Sequence, residues 1–241
     1  MSEQILKPHA IIIGASGALG LSCAKKLSRN YNVSCLSRRS INFDAEGFEG
    51  THIFCDVIKS ETLRSAFKEA TGRFGKISTV VFCAGVQLIK PVRLMKESEI
   101  HNVIETNFTS LVNVSGLFAS QNFSLTNAVM CVVTSISAKR PDSGIVLYAA
   151  TKAAGEALVA GLAKELAPKR VVGVAPGWMD TDMTRAHSYI YNEKYVACLK
   201  KKSPTGLVNV DDVANTIVYL VSSQATKITG QTITVDGGSS L

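Results

Sequence analysis

The apolar run Ala10 to Ile13 ends at once in Gly14-Ala15-Ser16-Gly17-Ala18-Leu19-Gly20. A short, β-branched run stopped by glycine reads as a buried strand, and the segment behind it, to about Arg29, as a helix. Glycines at such a junction let the backbone turn tightly and approach a pyrophosphate, whose charge the helix N-terminus meets. A first unit of this kind commits the chain to strands that lie parallel and return through helices.

The rest of the sequence repeats the unit. Apolar, strand-sized runs stand at 31–37 (YNVSCLS), 51–55 (THIFC), 77–85 (ISTVVFCAG), 128–135 (AVMCVVTS), 170–175 (RVVGVA) and 231–238 (QTITVDGG). Helical patterns lie between them: after Ser60, which is placed to cap a helix, across about 96–120, from Tyr148 onward, and over 210–223. Near-continuous apolar strands alternating with helices predict an α/β fold with helices on both faces of a parallel sheet, about seven strands in all. No repeat or linker divides the chain, so residues 1–241 are expected to form one domain. The stretch 178–207 is the longest without periodicity and is expected to be a substrate lid.

Composition narrows the class. Apolar residues make up 46% and charged residues 19%, ordinary for a globular protein, and the net charge is +7. Basic residues are not interleaved with aromatics, so a solvated basic surface or attraction for an anionic cofactor is expected rather than nucleic-acid binding. No segment reads as a membrane span, and the start MSEQILKPHA lacks the apolar stretch of a secretory leader. The six cysteines are scattered, with no Cys-x-x-Cys and no histidine at ligand spacing. They read as free thiols in a reducing cytoplasm, with no metal and no membrane contact.

Within LYAATKAAGEAL, Tyr148 and Lys152 are four apart and therefore neighbours on one helix face. A lysine ammonium near a phenol favours the phenolate, which suggests a tuned acid. Ser135 closes the fifth strand 13 residues before Tyr148, with Ser137 as a local rival, and Asn107 lies inside the long helical stretch. Over nearly its whole length the chain resembles the short-chain dehydrogenase/reductase family. The first turn is similar to that family's Thr-Gly-x-x-x-Gly-x-Gly: Gly14 and Gly20 match, while Ile13 and Ala18 replace the threonine and the middle glycine. FCAG at 82–85 stands where Asn-Asn-Ala-Gly is usual, and APGWMDTDMT at 175–184 matches the Pro-Gly segment.

The resemblance implies a Rossmann-type doubly wound sheet and a catalytic set of Asn107, Ser135, Tyr148 and Lys152. Ser135 would hold a carbonyl oxygen, Tyr148 would give it a proton, Lys152 would bond the cofactor ribose, and Asn107 would hold a water linking Lys152 to solvent. It also implies a nucleotide held by Gly14, Ser16, Gly17 and Leu19, by Asp56 and Val57 at the adenine, and by Cys83, Ala84 and Gly85 along the ribose. Pro176, Gly177, Met179 and Thr181 would meet the nicotinamide end, with Tyr148 and Lys152 beside it. Arg38 and Arg39, in place of an acidic residue after the second strand, could clamp a 2′-phosphate, which points to NADPH/NADP+.

Within the family the likeness runs to the 3-oxoacyl-[acyl-carrier-protein] reductases, through YAATKAAGEAL, VAPGWMDTDMT and ITGQTITVDGG. It implies reduction of a 3-oxoacyl thioester carried by acyl carrier protein or coenzyme A, and a homotetramer or homodimer joined through the helices around 96–120 and 147–168. Another small ketone or alcohol in a specialised pathway, or a non-catalytic NADP-sensing role, are the alternatives. Trp178, Tyr189, Tyr191 and Tyr195 are candidate walls of the substrate site.

Overall fold

The computed structural model of the protein describes residues 7–241; the first six residues of the stretch read above for a leader lie outside the described residues. Seven strands form one sheet in the order β3-β2-β1-β4-β5-β6-β7. They are β1 His9–Ile13, β2 Asn32–Ser37, β3 Thr51–Phe54, β4 Ile77–Phe82, β5 Ser124–Val133, β6 Arg170–Pro176 and β7 Thr232–Val235. Every neighbouring pair is parallel.

The sheet is filled from both sides, as side-chain alternation along a strand requires. Ile11 and Ile13 face one core with Val80, Phe82, Met130 and Val132, under helices α3 (Ser60–Phe74), α5 (Ser110–Ala119) and α6 (Val146–Glu165). Ile12 faces the other with Cys35, Val81, Cys131 and Val174, under α1 (Ala18–Leu27) and α9 (Val210–Val221). Strands apolar on both faces are therefore what two helical layers demand. A short α2 (Phe43–Glu46) precedes β3.

The long stretch near 96–120 is helical but not uniform. α4 (Glu97–Ile104) passes through a π-helical turn, Glu105–Thr109, into α5, and Asn107 sits in that turn. π-turns inside α-helices commonly mark functional sites.

Three expectations need correction. Ser60 is the first residue of α3 rather than its cap, which is Lys59. The stretch 178–207 is not irregular: it holds α7 (Asp182–Arg185) and α8 (Glu193–Lys202). Asn192 caps α8 by accepting from Tyr195 N at 3.0 Å, and three lysines close its last turn, where the helix dipole favours cations. α6, finally, has the length and hydropathy of a membrane span. It earns that hydropathy from small residues and packs against β6 as a core helix.

Candidate active site

Strand order reverses between β1 and β4, and the crevice outside their carboxyl ends is where open α/β sheets bind ligands. Gly14 follows β1, donating from its N–H to Leu36 O at 2.9 Å, and Cys83 follows β4, donating to Ile13 O at 2.8 Å. A cavity of about 670 Å³ opens there.

The glycines of the first turn divide their work. Gly14 has φ +81°, and a Cβ on it would stand 2.7 Å from Ala84 N. A Cβ on Gly20 would overlap Gly14 O, so both positions serve close packing of backbone on backbone. Gly17 is different: a Cβ there would meet nothing nearer than Gly14 O at 3.5 Å, and the residue borders the cavity. Its missing side chain leaves clearance for a ligand above the start of α1. This cradle fits a dinucleotide pyrophosphate.

Every residue expected to hold the cofactor borders this one cavity. Gly14, Ser16, Gly17 and Leu19 lie along the first turn, and Arg38 and Arg39 stand after β2. Asp56 and Val57 follow β3, Cys83, Ala84 and Gly85 follow β4, Pro176 ends β6, and Gly177, Met179 and Thr181 follow it. Arg39 donates from Nη2 to Ser16 O at 3.1 Å, which draws the basic pair over the glycine turn. The buried Ser37 hydroxyl donates to Arg39 O at 2.6 Å, so it shapes the arginine loop.

Ser135, Tyr148 and Lys152 border the same cavity. Ser135, two residues past the end of β5, is extended, and its Oγ accepts from Ser137 N at 3.1 Å, which leaves the hydroxyl proton free to point outward. Ser137 thus supports Ser135 through its backbone. Lys152 Nζ donates to Val133 O at 2.9 Å and stands 5.7 Å from the centre of the Tyr148 ring. Asn107 lies behind the wall. It accepts from Val86 N at 2.8 Å and donates to Val86 O at 2.9 Å and to Thr151 Oγ1 at 3.1 Å. The amide therefore ties the loop after β4 to α6. Gly85 completes the contact, because a Cβ there would stand 3.4 Å from both Asn107 Oδ1 and Lys152 Nζ.

The electrostatics reverse one expectation. Burial outweighs any pull of Lys152 on the Tyr148 phenol. Burial pushes that phenol up to about 12, against a partial pull from the Ser135 hydroxyl beside it. Burial pulls the Lys152 ammonium down to about 8. Near neutral pH the site therefore presents a protonated phenol and a cation that holds its proton only narrowly.

Of the expected substrate walls, Trp178, Tyr191 and Tyr195 border the cavity, while Tyr189 is 69% exposed and does not. Tyr189 falls in the turn between α7 and α8 and packs on His187 instead, with ring centres 6.2 Å apart. Sequence reasoning passed over Gln87 and Asp142, which also line the cavity. Gln87 follows Gly85 by two residues and Asp142 lies between Ser135 and Tyr148, so proximity to assigned residues was the available signal.

A doubly wound sheet with a glycine cradle at its switch point and a Ser–Tyr–Lys group beside it defines a nucleotide-dependent oxidoreductase. A family model described as Enoyl-(Acyl carrier protein) reductase matches residues 19–240. The 3-oxoacyl-[acyl-carrier-protein] reductase of Staphylococcus epidermidis is 32% identical over 245 residues, 97% of this chain and 99% of the relative. The solved gluconate 5-dehydrogenase of Burkholderia cenocepacia, in complex with NADP and tartrate, superposes with a TM-score of 0.86 at 26% identity. That superposition covers 96% of this chain and 94% of the other. A short-chain dehydrogenase/reductase of Brucella melitensis, described as a glucose/ribitol dehydrogenase, gives 0.88 at 25%, over 97% and 96%. The chain belongs to the short-chain dehydrogenase/reductase family, whose members use a nicotinamide cofactor in oxidoreduction at C=O and CH–OH groups.

Proposed function

We propose that this protein is an NADPH-dependent carbonyl reductase whose substrate is a 3-oxoacyl thioester, carried by acyl carrier protein or coenzyme A. The observation that carries the chemistry is the buried Tyr148 phenol beside Ser135 at one cavity wall. Bound along the glycine cradle, the cofactor supplies hydride to a carbonyl carbon. As negative charge grows on the carbonyl oxygen, the Ser135 hydroxyl bonds it and the Tyr148 phenol donates its proton. Lys152, held on Val133 O, places a positive charge near the phenolate that remains and stabilises it. Asn107 positions these groups by fixing Val86 and Thr151. The thioester class rests on the likeness to the carrier-protein reductase above.

The choice of NADPH rests on Arg38 and Arg39, both exposed at the far end of the cavity with no acidic side chain between them and β2. A charge-assisted contact to a 2′-phosphate contributes about 1.5–3 kcal/mol, or about ten- to a hundredfold in affinity. Arg38→Ala with Arg39→Ala should lower kcat/KM for NADPH by about that factor, mainly through KM, and leave NADH use unchanged. Equal loss with both coenzymes would overturn the NADPH assignment. Assaying NADPH oxidation against acetoacetyl-CoA, a carrier-bound 3-oxoacyl thioester and cyclic ketones tests the substrate class.

In this reading the chain acts as one cytoplasmic unit with 178–207 as lid. It works as a homotetramer or homodimer, for which the uncovered face of α6 is suited: Ala150, Ala157, Ala160 and Gly161 are exposed there, and Val112 and Gly116 on α5. Small apolar residues let helices of two copies approach closely.

A further inference from the structure

Past Ser135 and Tyr148 the cavity runs beneath the segment that carries α7 and α8, and its wall there sets the polar Gln87 and Asp142 among Trp178, Met183 and Leu199. Gln87 donates from Nε2 to the Tyr191 hydroxyl at 2.9 Å, joining the loop after β4 to the turn before α8. The other end of that amide, Oε1, is buried without a hydrogen-bond partner. Tyr191 packs on Trp178 and Tyr195, with ring centres 6.3 and 5.2 Å away, and lies near enough to Tyr148 to act on its phenol. Asp142 borders the same cavity and acts on both Tyr191 and Tyr195. This end therefore holds two acceptors, the spare amide oxygen and a carboxylate, beside one unpaired donor, the buried indole N–H of Trp178. Among the described lining residues the cations are Arg38 and Arg39, after β2, and Lys152, which is engaged on Val133 O.

A buried acceptor left unpaired is costly, and a wall built to pair one discriminates strongly against substrates that lack the matching donor. An apolar wall discriminates only weakly. We propose that Gln87 is a specificity-determining residue, whose Oε1, with Asp142 nearby, accepts a hydrogen bond from a hydroxyl or amide N–H that the substrate carries besides its reacting carbonyl. The proposal rests on the carbonyl-reductase reading above and narrows its substrates to ketones that carry a second, donating group. Such a donor is available from the amide of a pantetheine-like thioester or from the hydroxyl of a hydroxyketone.

Two matched pairs separate these sources: the N-acetylcysteamine thioester of 3-oxobutanoate against ethyl 3-oxobutanoate, and hydroxyacetone against butanone. With NADPH, Gln87→Met should cut kcat/KM for the donor-bearing member of one pair about ten- to a hundredfold and leave its partner within about twofold. Comparing variant with wild type on each compound cancels intrinsic reactivity. Gln87→Glu keeps an acceptor and should keep most of the preference, which a purely structural role would not predict. The pair that responds names the source of the donor. Equal losses within both pairs, or equal behaviour of the Met and Glu variants, would overturn the proposal. If no ketone is turned over, the carbonyl-reductase reading fails on its own. Trp178, the single tryptophan, stands in this wall and reports binding of the same four compounds to the NADP+ complex. Tighter binding of a donor-bearing member, lost in Gln87→Met and kept in Gln87→Glu, would then still support the role of Gln87, and its absence would overturn it.

Discussion

Burial acts in opposite senses on the two titrating side chains of the site, raising the Tyr148 phenol to about 12 and lowering the Lys152 ammonium to about 8. The phenol therefore stays an acid throughout the working range, and the first proton lost on raising pH belongs to Lys152. For ketone reduction, kcat/KM reports the free enzyme and should fall as pH rises through about 8. A profile flat to pH 9.5 would contradict this. The same shift has a stability consequence with a definite sign. The folded-state value of about 8 lies below the ordinary lysine value of 10.5, so between them the unfolded chain binds more protons and stability rises with pH. Below pH 8 the buried charge costs about 3 kcal/mol, partly offset by the bond to Val133 O, itself worth about 1–3 kcal/mol if left unmade. Lys152→Met should abolish turnover, yet its Tm relative to wild type should be higher at pH 7 than at pH 10. Melts in which that difference grows with pH would contradict the assignment.

At the scale of elements, the proposed lid over the substrate end is lightly anchored. None of the residues of α8 is buried, and it is held by the Asn192 cap, the Tyr191–Gln87 bond and aromatic contacts. Elements with so little buried surface open first. Trypsin should cut at Lys200 to Lys202 in the free protein, and more slowly once NADP+ and a ketone analogue are bound. Equal cleavage with and without ligands would contradict a closing lid. The weak burial also explains why α8 was not legible in the sequence. Its apolar residues, Tyr195 to Leu199, form one unbroken run between charged ends rather than a spaced stripe, so periodicity failed, although Asn192 and the terminal lysines were readable end signals. The strands were legible because two helical layers require apolar residues on both faces, as at Ile11, Ile12 and Ile13. Ser135, Tyr148 and Lys152, which border one cavity, were picked out by the family resemblance, with the four-residue spacing of the last two as the only local signal. The direction of the Tyr148 shift was not, because spacing reveals a neighbouring charge but not the depth of burial that outweighs it. The π-helical turn at Asn107 and the inward placement of Gln87 depend on packing between distant segments, which no local pattern encodes.

Over the whole molecule, the sheet order brings the ends of β1, β4, β5 and β6 to one crevice and leaves the charged groups apart along it. Arginines stand at the end of the cavity after β2, the protonated phenol and buried lysine at its middle, and a carboxylate and spare amide oxygen at the substrate end. That division suits an anionic coenzyme at one end and the uncharged 3-oxoacyl group of a substrate at the other. The claim that joins them is that Tyr148 is the acid. The most direct measurement is NADPH oxidation with acetoacetyl-CoA by wild type and by Tyr148→Phe, with NADPH affinity determined for both. The account predicts steady turnover in wild type and a loss in kcat of about 10²–10⁴-fold in the variant, at nearly unchanged NADPH affinity. A Tyr148→Phe variant that keeps more than about a tenth of the wild-type kcat would contradict it.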